Sequence, residues 1–130
     1  MQPRITIEPM TYHADVRGLV IEPIGLDAIP EQKNVHLVIT LPGGVRGNHY
    51  HLRGTEISVI LGPALFRSRE DGVIHDFEIP EGKAYRLTIP PGIPHAVKNT
   101  GNVPQVVIAF NTVVHDPAQP DVVREVLIES

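Results

Sequence analysis

The sequence predicts an all-β fold, a sandwich or closed barrel of short antiparallel strands, on three observations. Short apolar, β-branched runs recur along most of the chain. The 11 Gly and 13 Pro fall singly or in pairs between those runs rather than in one low-complexity tract, which is the punctuation of tight turns. No stretch sustains a convincing helical period. A double-sheet jelly roll is one arrangement that manages the edges of so many short strands.

A chain of 130 residues with 42% hydrophobic content supports one core, so a single domain over residues 1–130 is expected. Residues 1–34 read as N-terminal strands and a loop, with strands at 5–8 and 19–24 and the loop at 26–33. Residues 35–113 carry the barrel. A strand at 35–41 stops at Pro42, Gly43 and Gly44, and strands at 48–52 and 56–61 read as a hairpin joined through Arg53 and Gly54. Strands at 64–69 and 73–79 flank Glu70, Asp71 and Gly72 as a second hairpin, and 83–89, 95–99 and 105–113 complete the series. In the tail, residues 114–130, Pro117 and Pro120 exclude a central strand, which leaves a short one at 122–128.

The formal charge is −4 with scattered basic residues, so neither nucleic acid nor an anionic membrane surface is an expected partner. The absence of Cys removes disulfides and thiolate ligands and leaves His and carboxylate for any metal. Residues 1–10 do not resemble a signal peptide, and no apolar run reaches membrane-spanning length, so a cytoplasmic location is expected.

His49 and His51 are separated by one residue. On a strand such residues point the same way with Cα atoms about 7 Å apart, so both imidazoles can converge on one ion. Glu56 follows the Arg53–Gly54 turn and is expected to join them across a strand pair. His95 follows Pro90, Pro91, Gly92 and Pro94, a stiff approach that delivers it to the start of a later strand. Three imidazoles and one carboxylate make a site for one divalent ion, Zn, Mn, Fe, Co or Ni.

Gly43, His49, His51 and Glu56, followed by Pro90, Gly92, His95 and Asn99, resemble the two motifs of the cupin superfamily. The departures are Gly62, one residue early, and Gly82, two residues early, both in turns. The resemblance spans roughly residues 35–110 and implies a cupin double-stranded β-helix with those four side chains as metal ligands. Within the superfamily, Arg46, Gly47, Asn48, His49 and Tyr50, and more weakly Asp15, Val16, Arg17 and Gly18, resemble segments of cupin epimerases and isomerases that act on nucleotide-linked keto-deoxysugars. In the rhamnose-pathway members of that group the matching roles are catalytic base for His49 and nucleotide-sugar contact for Arg46. Those enzymes have Gln where this chain has His51 and need no metal. Closer is the C-terminal zinc cupin domain of the bifunctional capsular-polysaccharide reductase/epimerase, whose ending is matched by Asp116, Pro117, Pro120 and Asp121. No glycine-rich dinucleotide fingerprint accompanies it here, so a separate reductase is a possible partner.

The resemblance implies an epimerase or keto-isomerase for a nucleotide-linked 4-keto-6-deoxysugar in polysaccharide biosynthesis, working as a homodimer with one divalent ion, zinc favoured. An ion on His49 removes that residue from proton transfer, so His36, Tyr50 and Tyr85 are the remaining candidate bases. Arg46, Arg86 and Lys98 are candidates for pairing with a diphosphate. His13, His75 and His115 sit in or beside expected turns and read as surface residues. An iron or manganese cupin dioxygenase and a non-catalytic sugar-binding cupin use the same four ligands and stay open at this point.

Overall fold

The computed structural model describes residues 4–129; residues 1–3 and 130, parts of the expected terminal segments, lie outside them. Strands β1 (Thr6–Met10), β2 (His13–Asp15), β3 (Gly18–Val20), β4 (Asn34–Thr40), β5 (Val45–His51) and β6 (Glu56–Leu61) are followed by β7 (Ala64–Glu70), β8 (Val73–Ile79), β9 (Ala84–Ile89), β10 (His95–Asn99), β11 (Gln105–Asn111) and β12 (Val122–Arg124). One five-stranded sheet runs β1-β9-β6-β11-β4, a second runs β12-β5-β10-β7-β8, and β2 and β3 form a small ribbon. Every pairing is antiparallel. The two larger sheets form the cupin double-stranded β-helix expected from the sequence. Among the described residues no helix is long and apolar enough to cross a membrane.

Alternation places Ile60, Phe66, Ile79, Leu87, Ile89 and Val107 in one buried cluster with Ala64 and Ile93. Each large side chain removed from water there contributes about 1.5–3 kcal/mol. The outer face of the first sheet is covered in part by the segment after β3, where Ile24 and Ala28 pack on Ile57 and Phe110. That segment corrects the expected strand at 19–24: only Gly18–Val20 is paired as a strand, and the residues beyond it form a cover ending in a 3-10 turn, Ile29–Glu31.

The expected hairpin through Arg53 and Gly54 is also corrected. β5 and β6 belong to opposite sheets, so these residues form a crossover. The backbone groups that would close a hairpin go to the tail instead. Leu52 N donates to Asp121 O at 2.7 Å, and Arg53 N and Gly54 N donate to the Asp121 carboxylate at 2.8 and 3.0 Å. A side chain at Gly54 would collide with Asn111 Oδ1 and Asp121 Oδ2. By contrast, β7 and β8 do form the expected hairpin, closed by Asp71 and Gly72 at φ 51° and 76°, as a two-residue turn with both residues left-handed requires.

β5 contains a bulge. His95 lies opposite His49 and Ala96 opposite Gly47, leaving Asn48 unpaired in the register. Gly47 has φ 90° and Asn48 φ 55°, and a Cβ on Gly47 would sit 2.9 Å from His95 O. Glycine is therefore required where β5 presses on β10. The Asn48 amide captures the end of the chain: Oδ1 accepts from Leu127 N at 2.8 Å and Ile128 N at 3.1 Å, while Nδ2 donates to Ile128 O at 3.0 Å. These bonds replace the ladder expected over 122–128, which stops at Arg124. β11 likewise ends at Asn111 rather than 113, because the Asn111 side chain accepts from Val113 N at 2.8 Å.

Removing the Asn48 amide leaves buried backbone groups of the tail unpaired. Asn48→Ala is expected to cost about 2–3 kcal/mol in urea unfolding and to accelerate amide exchange at Leu127 and Ile128 ahead of the sheet cores. Unchanged exchange at those two amides would contradict this role.

Candidate metal centre

His49, His51, Glu56 and His95 each present a donor atom, and these atoms lie within 4.8 Å of one another. Three ligand candidates come from one sheet, His49 and His51 on β5 and His95 on β10, while Glu56 opens β6 in the other. The ring centroid of His49 lies 5.0 Å from that of His51 and 4.9 Å from that of His95. Phe66 stacks beside His95 at 6.2 Å, so the cluster rests on the apolar core.

His51 Nε2 contacts Glu56 Oε1 at 2.8 Å, and Ser58 Oγ donates to Glu56 Oε2 at 2.5 Å. Burial opposes ionisation of Glu56. The neighbouring His95 and the hydrogen bonds from His51 and Ser58 outweigh it and hold the carboxyl well below its usual range. For His95 burial disfavours the charged form, but the Glu56 carboxylate 3.4 Å away and the Ile93 carbonyl raise its pKa. His49 goes the other way: burial, then the proximity of His95, lowers it to about 4 despite Glu56. In the protein without an ion, positive charge is drawn to the Glu56–His95 side of the cluster while His49 keeps a free lone pair.

This donor set fits a divalent ion. His95 Nδ1 donates to Ile93 O at 2.9 Å, which leaves the lone pair of the neutral ring on Nε2, turned into the cluster. His95 Nε2 is buried and has no hydrogen-bond partner, and the same holds for His51 Nδ1 on the outer side of its ring. An orphaned, buried imidazole nitrogen facing a carboxylate and two further imidazoles is a coordination donor without a competing bond.

The cluster lines a cavity of about 560 Å³. Arg46 and His36 line it too. Strict alternation along β5 would have put Gly47, not Arg46, on the face of His49 and His51; the bulge restores Arg46 to it. The other sequence candidates lie elsewhere. Tyr50 alternates with the two His and is not among the lining residues, and Tyr85 packs edge-on against Phe77 at the far end of the core, ring centroids 4.9 Å apart. Arg86 is held by Asp27 at 2.7 Å and Glu8 at 3.6 Å outside the cavity. Lys98 alternates with the lining residue Val97 and faces away. His13, His75 and His115 are exposed, as expected, and His115 also lines the cavity together with Asp116. Ser58 joins the site without having been singled out by the sequence, and Asp121, named there only as part of the matched ending, joins it as well. Period-2 spacing from Glu56 is the signal that could have found Ser58; Asp121 arrives only through the fold of the tail.

Without metal, His49 is expected to titrate near 4, where an unfolded-state His titrates near 6.5. Between those values the unfolded chain binds the proton and the folded one does not, so His49's contribution to stability falls as pH drops through that window. Imidazole 15N NMR of chelator-treated protein checks this; a His49 midpoint near 6.5 would contradict it.

Three comparisons place the chain among known proteins. The family described as the polysaccharide biosynthesis C-terminal domain matches residues 13–123. The spore coat polysaccharide biosynthesis protein SpsL of Bacillus subtilis is 24% identical over 127 residues, covering 90% of this chain and 84% of that protein. The capsular polysaccharide assembling protein CapF of Staphylococcus aureus superposes with a TM-score of 0.68 at 26% identity, over 92% of this chain. The chain spans about a third of CapF, 33% of its length. The sugar 3,4-ketoisomerase QdtA of Thermoanaerobacterium thermosaccharolyticum, solved with TDP, has a TM-score of 0.73 over 96% of this chain and 90% of its own, at 17% identity, which speaks for the fold alone. With that family matched across most of its length and a cupin double-stranded β-helix beneath the match, the chain belongs to the polysaccharide biosynthesis C-terminal domain family of cupins.

Proposed function

We propose that the protein is a metal-dependent epimerase or keto-isomerase of a nucleotide-linked 4-keto-6-deoxysugar in polysaccharide biosynthesis. The observation that carries this is the convergence of three imidazoles and one carboxylate in a cavity that His36 and Arg46 also line. The solved TDP complex of QdtA supports a nucleotide sugar as ligand class. His49, His51, Glu56 and His95 would hold a divalent ion, which would supply Lewis acidity toward a sugar carbonyl oxygen. The carbon beside that carbonyl then loses its proton to a base. His36 on β4 is the candidate left for that work once Tyr50 and Tyr85 are found outside the cavity. Arg46 pairs with the diphosphate, a charge-assisted contact that positions the sugar over the ligand cluster. Zinc suits this N/O donor set, and manganese, iron, cobalt and nickel are accepted by the same atoms. Any accompanying reduction requires a dinucleotide-binding domain outside these 130 residues, which carry no such fingerprint.

Protein purified without a His tag is expected to hold about one zinc per chain and to exchange solvent deuterium into a keto-sugar nucleotide beside its carbonyl. His36→Ala should slow exchange by about 10²–10⁴-fold while keeping the metal, and His49→Ala should lose both. Iron with oxygen uptake would replace this reading by a dioxygenase, and identical exchange in His49→Ala would replace it by a binding module.

We also propose that the protein is a homodimer that covers the outward face of β4. Val35, Leu37 and Ile39 on that face and Val106 on β11 are 57%, 67%, 55% and 51% exposed, and β4 is a sheet edge with unpaired backbone groups. A second copy supplies both an apolar face and a strand edge. Light scattering at micromolar concentration should give twice the chain mass, and Leu37→Asp should shift it toward monomer; a monomeric wild type would refute the dimer.

A further inference from the structure

The buried outer nitrogen of His51 has no hydrogen-bond partner, and the group facing it is a carboxylate from the far end of the chain. Asp121 Oδ2 lies 3.5 Å from His51 Nδ1, both side chains being 11% exposed. That carboxylate is fixed by its bonds from Arg53 N and Gly54 N, the crossover that leads from His51 to Glu56. Its backbone carbonyl accepts from Leu52 N as well. One residue of the tail therefore grips Leu52, Arg53 and Gly54 in the link between two ligand candidates. His95 has a parallel arrangement, its Nδ1 donating to Ile93 O at 2.9 Å, so each ring meets an acceptor on the side away from the cluster.

We infer that Asp121 is a positioning residue for the metal centre: it accepts the Nδ1 proton of His51, so that Nε2 is presented as the ligand atom, and it holds Glu56 at the matching depth. The inference rests on the proposed metal site. When Nε2 binds an ion, Nδ1 of the neutral ring must carry the proton, and a buried N–H without an acceptor weakens the site. The 3.5 Å separation is ~0.3 Å beyond hydrogen-bond length. Asp121 touches neither the ion nor the substrate in this role; it acts through His51.

The test is competition titration of zinc and cobalt against a chromophoric chelator, with imidazole 15N NMR, on the full chain. Asp121→Asn keeps the size of the side chain but offers an amide where two N–H donors and the His51 ring need a carboxylate. It is expected to bind either ion about 10–100-fold more weakly and to show faster solvent exchange of the His51 Nδ1 proton. Thr112→Val is the control, because Thr112 Oγ1 accepts from Thr55 N at 3.1 Å and steadies the same crossover without facing His51. It should keep affinity within about threefold of wild type. Equal affinity in Asp121→Asn and wild type, with the proton still protected, overturns the positioning role and leaves the metal site standing. Equal weakening in Thr112→Val and Asp121→Asn also overturns it, reducing Asp121 to a loop anchor. A wild-type chain that binds neither ion sinks the metal reading itself.

Discussion

The site depends on one extra residue in β5. With Asn48 left out of the register opposite β10, the strand reverses the parity of its side chains, and a cation at position 46 joins imidazoles at 49 and 51 on one face. The same distortion needs a backbone that glycine accepts easily at 47 and asparagine tolerates at 48. Asparagine adds what glycine cannot, an amide that pairs with three backbone groups of the C-terminal segment. Cavity chemistry and chain closure are thus set by adjacent residues.

A second constraint is that the ligand candidates straddle two sheets. His49, His51 and His95 stand on one, and Glu56 on the other. The crossover 52–55 bridges the sheets within a few residues, with the amides of Leu52, Arg53 and Gly54 taken by Asp121 and that of Thr55 by Thr112. Neither sheet alone assembles the cluster. Its electrostatics come from that meeting: a buried carboxylate brought against imidazoles is kept ionised, one imidazole is biased toward its charged form and another far from it.

Much of this is legible in the sequence, for a physical reason. The strands of the barrel announce themselves through period-2 apolar alternation broken by Gly and Pro, so 56–61, 73–79 and 95–99 coincide with β6, β8 and β10. His49 and His51 share a face because the bulge lies before them, not between them. Anything that depends on which face or which sheet is lost. Arg86 and Lys98 have the right chemistry for a diphosphate, but their parity turns them outward, and parity is lost wherever a strand's start is misplaced. Tyr85 faces inward at the opposite end of the core, a distinction along the barrel axis that no local pattern encodes. The partnership of Glu56 with the His pair is readable from spacing, yet through a hairpin that does not exist, because the competing acceptor, Asp121, lies more than sixty residues away.

The stretch 113–120, from which Val113, Val114, His115, Asp116 and Pro120 line the cavity, is pinned at both ends. Asn111 holds its start through Val113 N and Lys33 N, and Asp121 holds its finish through the crossover. Between the pins only a short turn at Asp116 gives it internal bonds. A loop fixed at its ends can change length cheaply, since doubling it costs about 0.6 kcal/mol in closure entropy. The rim of the cavity can therefore be rewritten by insertion or substitution while the interior donors keep their places. In this architecture the rim and the donor cluster are free to evolve on separate schedules.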